Sequence, residues 1–280
     1  MKNSIKNSIR NWIGPNLIYL GQKILSPIIP PRLKYAPDGW ATLLPIDKDQ
    51  GWNDQALVEN NSRKLNLISQ LCKGTGPLGF SYEDDELKEI RNIYSHNIHM
   101  TYSYVLALVA HKKNIVSILD WGGGIGHYYL LSKTVMPEVE IDYHCVEVPI
   151  MAKTGKNINP EIQWYSDNSF LNQQYDLAMI NASIQYVREW KDLLKNIANV
   201  TKGHLFLTRV PIVENADNFV AIQREYGTFI LQQQFNQSDL LETAQKIGLT
   251  LFREFVVGDR PFIYAAPEQC EMRGWLFKKY

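Results

Sequence analysis

Long hydrophobic runs are missing from this 280-residue chain, and so is any imbalance of charge: 29 Lys and Arg stand against 29 Asp and Glu. Zero net charge, without a basic run of five or more, leaves no electrostatic pull toward phosphate backbones, so nucleic acid is not an expected partner. Cysteine is scarce. The three present, Cys72, Cys145 and Cys270, are odd in number and far apart, which fits neither a disulfide framework nor a paired zinc site, and no metal is expected. A reducing, cytoplasmic setting follows.

The most apolar stretch near the N-terminus, residues 12–30, is broken by Pro15, Gln22, Lys23 and Pro27 and never approaches the roughly 20 uninterrupted residues of a membrane span. It also lacks a small-residue cleavage pattern, so no export signal is expected. Ile13, Leu17, Leu20 and Ile24 recur at helical spacing behind Lys2, Lys6 and Arg10. Residues 1–34 therefore read as an amphipathic arm with two open roles. One is packing on its own domain or on a second copy in a homodimer; the other is peripheral contact of residues 1–30 with anionic lipid.

Two helix-like stretches, 54–71 and 84–111, lie within an expected helical cap over residues 35–113. From 114 to 280 apolar strands alternate with amphipathic segments. Strands are expected at 115–119, 141–146, 162–165, 175–180 and 204–210, and one intervening helix places Trp190, Leu193, Leu194, Ile197 and Val200 on one face. Such alternation argues an α/β fold with a parallel sheet. Residues 211–235 interrupt it as an insertion. Gln223, Arg224, Glu225, Tyr226 and Gln232 to Gln234 suit either a lid that hydrogen-bonds a polyhydroxylated acceptor or a dimer-forming helix. A helix over 239–247, capped by Ser238 and ended by Gly248, then leads to closing strands at 249–257 and 270–277.

The first core strand ends in Asp120 and runs into Gly122, Gly123, Gly124, Ile125 and Gly126. Bare backbone between a strand and a helix N-terminus, at the carboxyl edge of such a sheet, is where nucleotide-like ligands bind. A dinucleotide site wants G-x-G-x-x-G; both possible frames fail here, at His127 and at Tyr129. The spacing D-x-G-x-G-x-G is met by Asp120, Gly122, Gly124 and Gly126. About twenty residues on, the second strand ends at Glu147, placed to accept the hydroxyls of a ribose. The third runs out into Asp167 and Asn168, which can accept from an adenine amino group or simply form a turn.

This order of features resembles the class I S-adenosylmethionine-dependent methyltransferases. The resemblance implies a Rossmann-like seven-stranded sheet with an antiparallel closing hairpin, S-adenosylmethionine as cofactor, Asp120 near the methionine amino group, and Asn181 among the cofactor-binding residues. Leu119 to Gly123, Tyr175 to Leu177 and Ser183 to Val187 are further similar to a bacterial methyltransferase family associated with surface-polysaccharide gene clusters, over roughly residues 38–257. That likeness implies Gln185 and Tyr186 on the acceptor side. It departs at Thr208-Arg209, where the family tends to have Asp-Arg, so Arg209 carries over and an acid at 208 does not.

Methyl transfer to a hydroxyl benefits from a base, and His127, directly after the glycine turn, is the first candidate. His96 and His99 are a second pair, without a ligand set for a metal. Arg209 can pair with a phosphate or carboxylate on the substrate. The expected activity is methylation, at oxygen, of a small-molecule or glycan-linked acceptor. Its rivals are a methyltransferase-like scaffold without activity and an NAD(P)-dependent reductase.

Overall fold

A computed structural model describes residues 31–44, 51–52, 55–81, 90–225 and 228–280. Its centre is a run of strands: β2 (Ile115–Trp121), β3 (Glu140–Val146), β4 (Gln163–Tyr165), β5 (Tyr175–Asn181) and β6 (Thr201–Val213), ordered β4-β3-β2-β5-β6 and all parallel. Beyond β6 lies β11 (Glu271–Lys279), antiparallel both to it and to the outermost strand, β9 (Leu249–Val256). The register aligns the strand tips. Asp120 lies beside Cys145 and Met179, Trp121 beside Val146 and Ile180, and Asn181 beside Thr208.

Parallel strands need crossover helices, and these bury both faces of the sheet, which is why β2 and β5 are apolar on consecutive residues rather than alternating. On one face pack α1 (Gln55–Lys73), α2 (Ile93–Ala110) and α3 (His127–Val135), through Ile68, Ile98, Tyr102, Leu106, Tyr128 and Leu131 against Ile118, Leu177 and Met179. On the other pack α5 (Trp190–Asn199) and α6 (Gln237–Lys246), through Trp190, Leu194, Ile197 and Leu240 against Leu119, Ala178, Ile180 and Leu205. The helix α4 (Pro149–Ile158) joins β3 to β4 and meets α1, where Met151, Ile125, Val58 and Leu65 share a small apolar cluster.

The expected seven-stranded arrangement with its antiparallel closing hairpin is present, inside a larger sheet of eleven strands. The insertion 211–235 is not the dimer-forming helix that was one expectation for it. β6 itself runs on to Val213, and the chain returns as a hairpin of β7 (Phe219–Glu225) and β8 (Thr228–Asn236). Alternation decides it: Phe219, Ala221, Gln223, Ile230, Gln232 and Gln234 share one face, a period of two that a helix cannot use. Two short strands extend the hairpin, β1 (Leu33–Ala36) antiparallel to β7 and β10 (Ile263–Tyr264) parallel to β1. The region expected as a helical cap thus begins in a strand.

Smaller differences have local causes. Helix α6 is capped by Asn236, whose side chain accepts from Asp239 N at 3.2 Å, rather than by Ser238, because β8 turns straight into the helix. Gly248 does end it in the left-handed region, at φ +85°. Helix α2 starts at Ile93, where Asn92 accepts from Ser95 N at 2.9 Å; residues 82–89 of the expected longer helix lie outside the described residues. So do residues 1–30 of the proposed arm. Among the described residues no helix is long and apolar enough to cross a membrane.

Candidate functional site

At the tip of β2 the Asp120 carboxyl is fully buried. Tyr143 donates its hydroxyl to Oδ2 at 2.6 Å, while Oδ1, equally buried, has no hydrogen-bond partner. Burial pushes the Asp120 carboxyl up to about 7; the Tyr143 hydrogen bond opposes this and the Glu147 charge adds to it. An acid with one oxygen satisfied and one oxygen bare costs stability, and its bare oxygen fits a cationic or N–H donor.

The turn that follows holds Gly122, Gly124 and Gly126 at φ +73°, +62° and +79°. They are not equivalent. A Cβ at Gly122 would meet Ser183 Cβ at 2.5 Å and one at Gly126 would meet Ile162 Cδ1 at 2.3 Å, whereas at Gly124 it would meet nothing within 4 Å. Gly122 and Gly126 let protein pack against the turn; Gly124 faces open space. Gly123, which the spacing argument passes over, keeps clear of the acid itself: a Cβ there would lie 2.2 Å from Asp120 Oδ2.

Glu147, one residue past β3, accepts from Gly124 N through Oε1 and from Val148 N through Oε2, both at 2.8 Å. Burial raises its pKa above the ordinary carboxylate value, and the two N–H groups oppose this. The carboxylate therefore ties the second strand to the glycine turn, with one lone pair on each oxygen still available. Asp167 is exposed, and its Oδ1 accepts from Ser169 N at 2.9 Å and from Ser169 Oγ at 2.5 Å; these hydrogen bonds hold it below the usual range. It caps the 3-10 turn Asn168–Asn172, and Asn168 is exposed beside it.

On the other side of Asp120, Asn181 ends β5 by donating Nδ2 to the Tyr128 hydroxyl at 2.7 Å, leaving Oδ1 buried and without a partner. The next strand departs from regular geometry at the same level. Ala182 and Arg209 adopt φ +55° and +56°, and Ala182 N donates to Thr208 O at 3.0 Å. Non-glycine residues in the left-handed region carry strain that concentrates at functional edges. Arg209 donates Nε to the Tyr94 hydroxyl at 3.3 Å.

His127 is half-buried at the start of α3, its ring 4.4 Å from that of Tyr128. Burial, then the charges of His99 and Arg209, hold it well below the usual histidine range, so it is a neutral and weak base. His99 is pushed down to about 4, first by burial. Its Nδ1 donates to Leu78 O at 2.6 Å, which fixes the tautomer and leaves Nε2 as the acceptor. No group of three or more His, Cys, Asp or Glu able to hold a metal occurs among the described residues.

Gln185 and Tyr186 lie in the 3-10 turn Ile184–Tyr186, which packs against β6 and β8. Gln185 is buried with Oε1 unpartnered. Tyr186 donates to Gln223 Oε1 at 2.8 Å and meets the ring of Trp52 at 4.9 Å. The strand tips thus gather Asp120, the glycine turn, Glu147, Asn181, Gln185, Tyr186, Arg209 and His127 on one sheet edge, and Asp167 follows β4 with its Oδ1 on its own turn. Tyr143, Tyr128 and Tyr94 are not evident from sequence, because aromatic residues at helical or strand spacing read as core.

The strand order, the antiparallel pairing of β11 and the glycine turn after β2 together settle the architecture. The fold is the Rossmann-like one of class I methyltransferases. No family model and no curated protein matches the sequence. Among solved structures the chain is similar to magnesium protoporphyrin IX methyltransferase from Synechocystis PCC 6803 with bound SAH, at 14% identity and TM-score 0.47 over 79% of this chain and 95% of that one. It is similar to the N-terminal domain of EvdMO1 with SAH bound, at 12% and 0.48 over 78% and 97%. A third is 1,6-didemethyltoxoflavin-N1-methyltransferase from Burkholderia thailandensis, at 14% and 0.45 over 88% and 99%.

Proposed function

We propose that the chain is an S-adenosylmethionine-dependent methyltransferase acting at oxygen on a small-molecule or glycan-linked acceptor. The observation that carries this reading is Asp120 Oδ1, a buried and unpartnered carboxyl oxygen beside a turn whose Gly124 faces open space. A donor set of this kind fits a cationic amino group joined to a nucleoside. Asp120 Oδ1 would take the aminium, the backbone at Gly124 would lie against the ligand without a Cβ between them, and the remaining lone pairs of Glu147 would accept ribose hydroxyls. Asp167, of which Ser169 takes only Oδ1, and Asn168 would meet the adenine edge.

Bound there, the cofactor supplies a methyl group on a sulfonium, open to in-line attack. The chain's own part is positioning, which removes much of the entropy cost of bringing acceptor and methyl into line. Asn181, Gln185 and Tyr186 orient the acceptor from the β5 side and Arg209 borders it. Neutral His127, or His99 through Nε2, takes the hydroxyl proton as attack proceeds. Both bases are weak, so alignment carries more of the acceleration than deprotonation does.

One observation favours a second reading, a methyltransferase-like domain without cofactor: the Glu147 carboxylate already satisfies Gly124 N. Calorimetry with S-adenosylhomocysteine separates the two. The proposal predicts one site per chain, abolished by Gly124→Arg, which fills the open space beside the turn. Absence of binding to the parent chain, or equal binding to the variant, removes it.

A further inference from the structure

Between β4 and β5 the chain crosses the sheet without an α-helix, through residues 166–174 and the 3-10 turn Asn168–Asn172. The polar residues near its start, Asp167 and Asn168, are exposed. Within the crossover only Phe170 is buried, in the apolar core with Leu119, Val146 and Tyr175. A segment with so few buried contacts opens readily unless polar contacts hold it.

Gln173 supplies such contacts. Its Nε2 lies 2.9 Å from the Tyr165 hydroxyl, 3.0 Å from the Tyr175 hydroxyl and 2.8 Å from His144 Nδ1. An amide nitrogen only donates, so all three are acceptors, and His144 carries its hydrogen on Nε2, 3.0 Å from Asp142 Oδ1. The far end of the crossover is thereby fastened to the last residue of β4, to β3 and to the first residue of β5. The Tyr175 hydroxyl extends the hold, since it donates to Phe170 O at 2.8 Å in the middle of the crossover. Tyr165 leads to the ribose acid, because its carbonyl accepts from Glu147 N at 2.9 Å.

We propose that Gln173 is a positioning residue for cofactor recognition: through the crossover it fastens, it sets Asp167 and Asn168 at the adenine edge. The proposal rests on the methyltransferase reading and deepens it, adding a residue that acts on the cofactor only through others. A leucine in its place would fill the same space and make none of the three hydrogen bonds.

The test compares S-adenosylhomocysteine with S-inosylhomocysteine, in which an oxygen acceptor replaces the adenine amino donor. Titration calorimetry on the full chain gives both affinities for the parent, Gln173→Leu, Tyr175→Phe and Gln163→Ala. The parent should prefer S-adenosylhomocysteine about tenfold or more, because the analogue turns an acceptor toward Asp167. Gln173→Leu should lower that preference about fivefold, the worth of about one hydrogen bond, with the analogue's own affinity held within about twofold. Tyr175→Phe keeps the ring, cuts the tie to Phe170 and should shift the preference in the same direction. Gln163→Ala removes a partner of Tyr165 outside the crossover and should leave the preference as in the parent.

A merely structural Gln173 would lower the thermal midpoint and weaken both ligands alike. The proposal is overturned if Gln173→Leu keeps the parent's preference, or if Gln163→Ala loses as much of it. Should Gln173→Leu not fold, an unchanged preference in Tyr175→Phe overturns it equally. A parent that binds both ligands without preference removes the adenine placement and the proposal with it, whereas a parent that binds neither removes the methyltransferase reading itself.

Discussion

Cofactor binding to this chain should release a proton from Asp120. In the free protein burial holds that carboxyl at about 7, so at pH 6.5 it is roughly three-quarters protonated. A cation placed on Oδ1 favours the ionised form, and an opposite charge at contact lowers a carboxyl by about 1 to 3 pH units. Binding of S-adenosylhomocysteine at pH 6.5 then expels between about half and three-quarters of a proton, falling to about a quarter at pH 7.5. Calorimetric titrations in buffers of different ionisation enthalpy measure this number directly, and Asp120→Asn provides the control because Glu147 is unchanged in it. Release that is absent in the parent, or identical in Asp120→Asn, refutes the placement of the amino group.

The same acid sets a stability trend. Its folded-state pKa is raised, so the native chain binds more protons than the unfolded one between about pH 4 and 7, and Asp120 should contribute falling stability as pH rises through that window. Urea unfolding at several pH values should show a flatter profile for Asp120→Asn. Tyr143→Phe removes the one donor to Asp120 Oδ2 and should cost about 1 to 3 kcal/mol in the same assay, with no gain at any pH above 7. Among the glycines, Gly122→Ala should destabilise the fold more than Gly124→Ala, since only the former drives a Cβ into Ser183; both bear a left-handed backbone cost of about 1 kcal/mol. Equal midpoints for the two would contradict the packing described. Asn236→Ala should lose about 1 kcal/mol through the cap of α6, and Ser238→Ala close to nothing.

What could be read from sequence follows the strength of local rules. The glycine turn was legible because three residues in seven required positive φ, and the strands around it because parallel strands buried on both faces are apolar without interruption. The hairpin was not, because three consecutive glutamines at 232–234 mask an alternating pattern whose buried members are themselves polar. Asp167 has two readings in sequence, since Asp-Asn-Ser is as good a turn as it is an adenine contact, and in the fold its Oδ1 caps the turn. Tyr128 and Tyr143 showed the reverse failure, since their rings are core while their hydroxyls finish the site. Nothing in spacing distinguishes such a tyrosine from a phenylalanine until its partner strand is placed.

The central claim is that the end of β2 receives the methionine end of the cofactor. A crystal structure grown with millimolar S-adenosylhomocysteine tests it most directly. The account predicts density for the ligand along Gly122 to Gly126, its amino nitrogen within hydrogen-bond distance of Asp120 Oδ1 and its ribose at Glu147. Density elsewhere on the molecule, or a Glu147 carboxylate still closed on Gly124 with no ligand beside it, would contradict it.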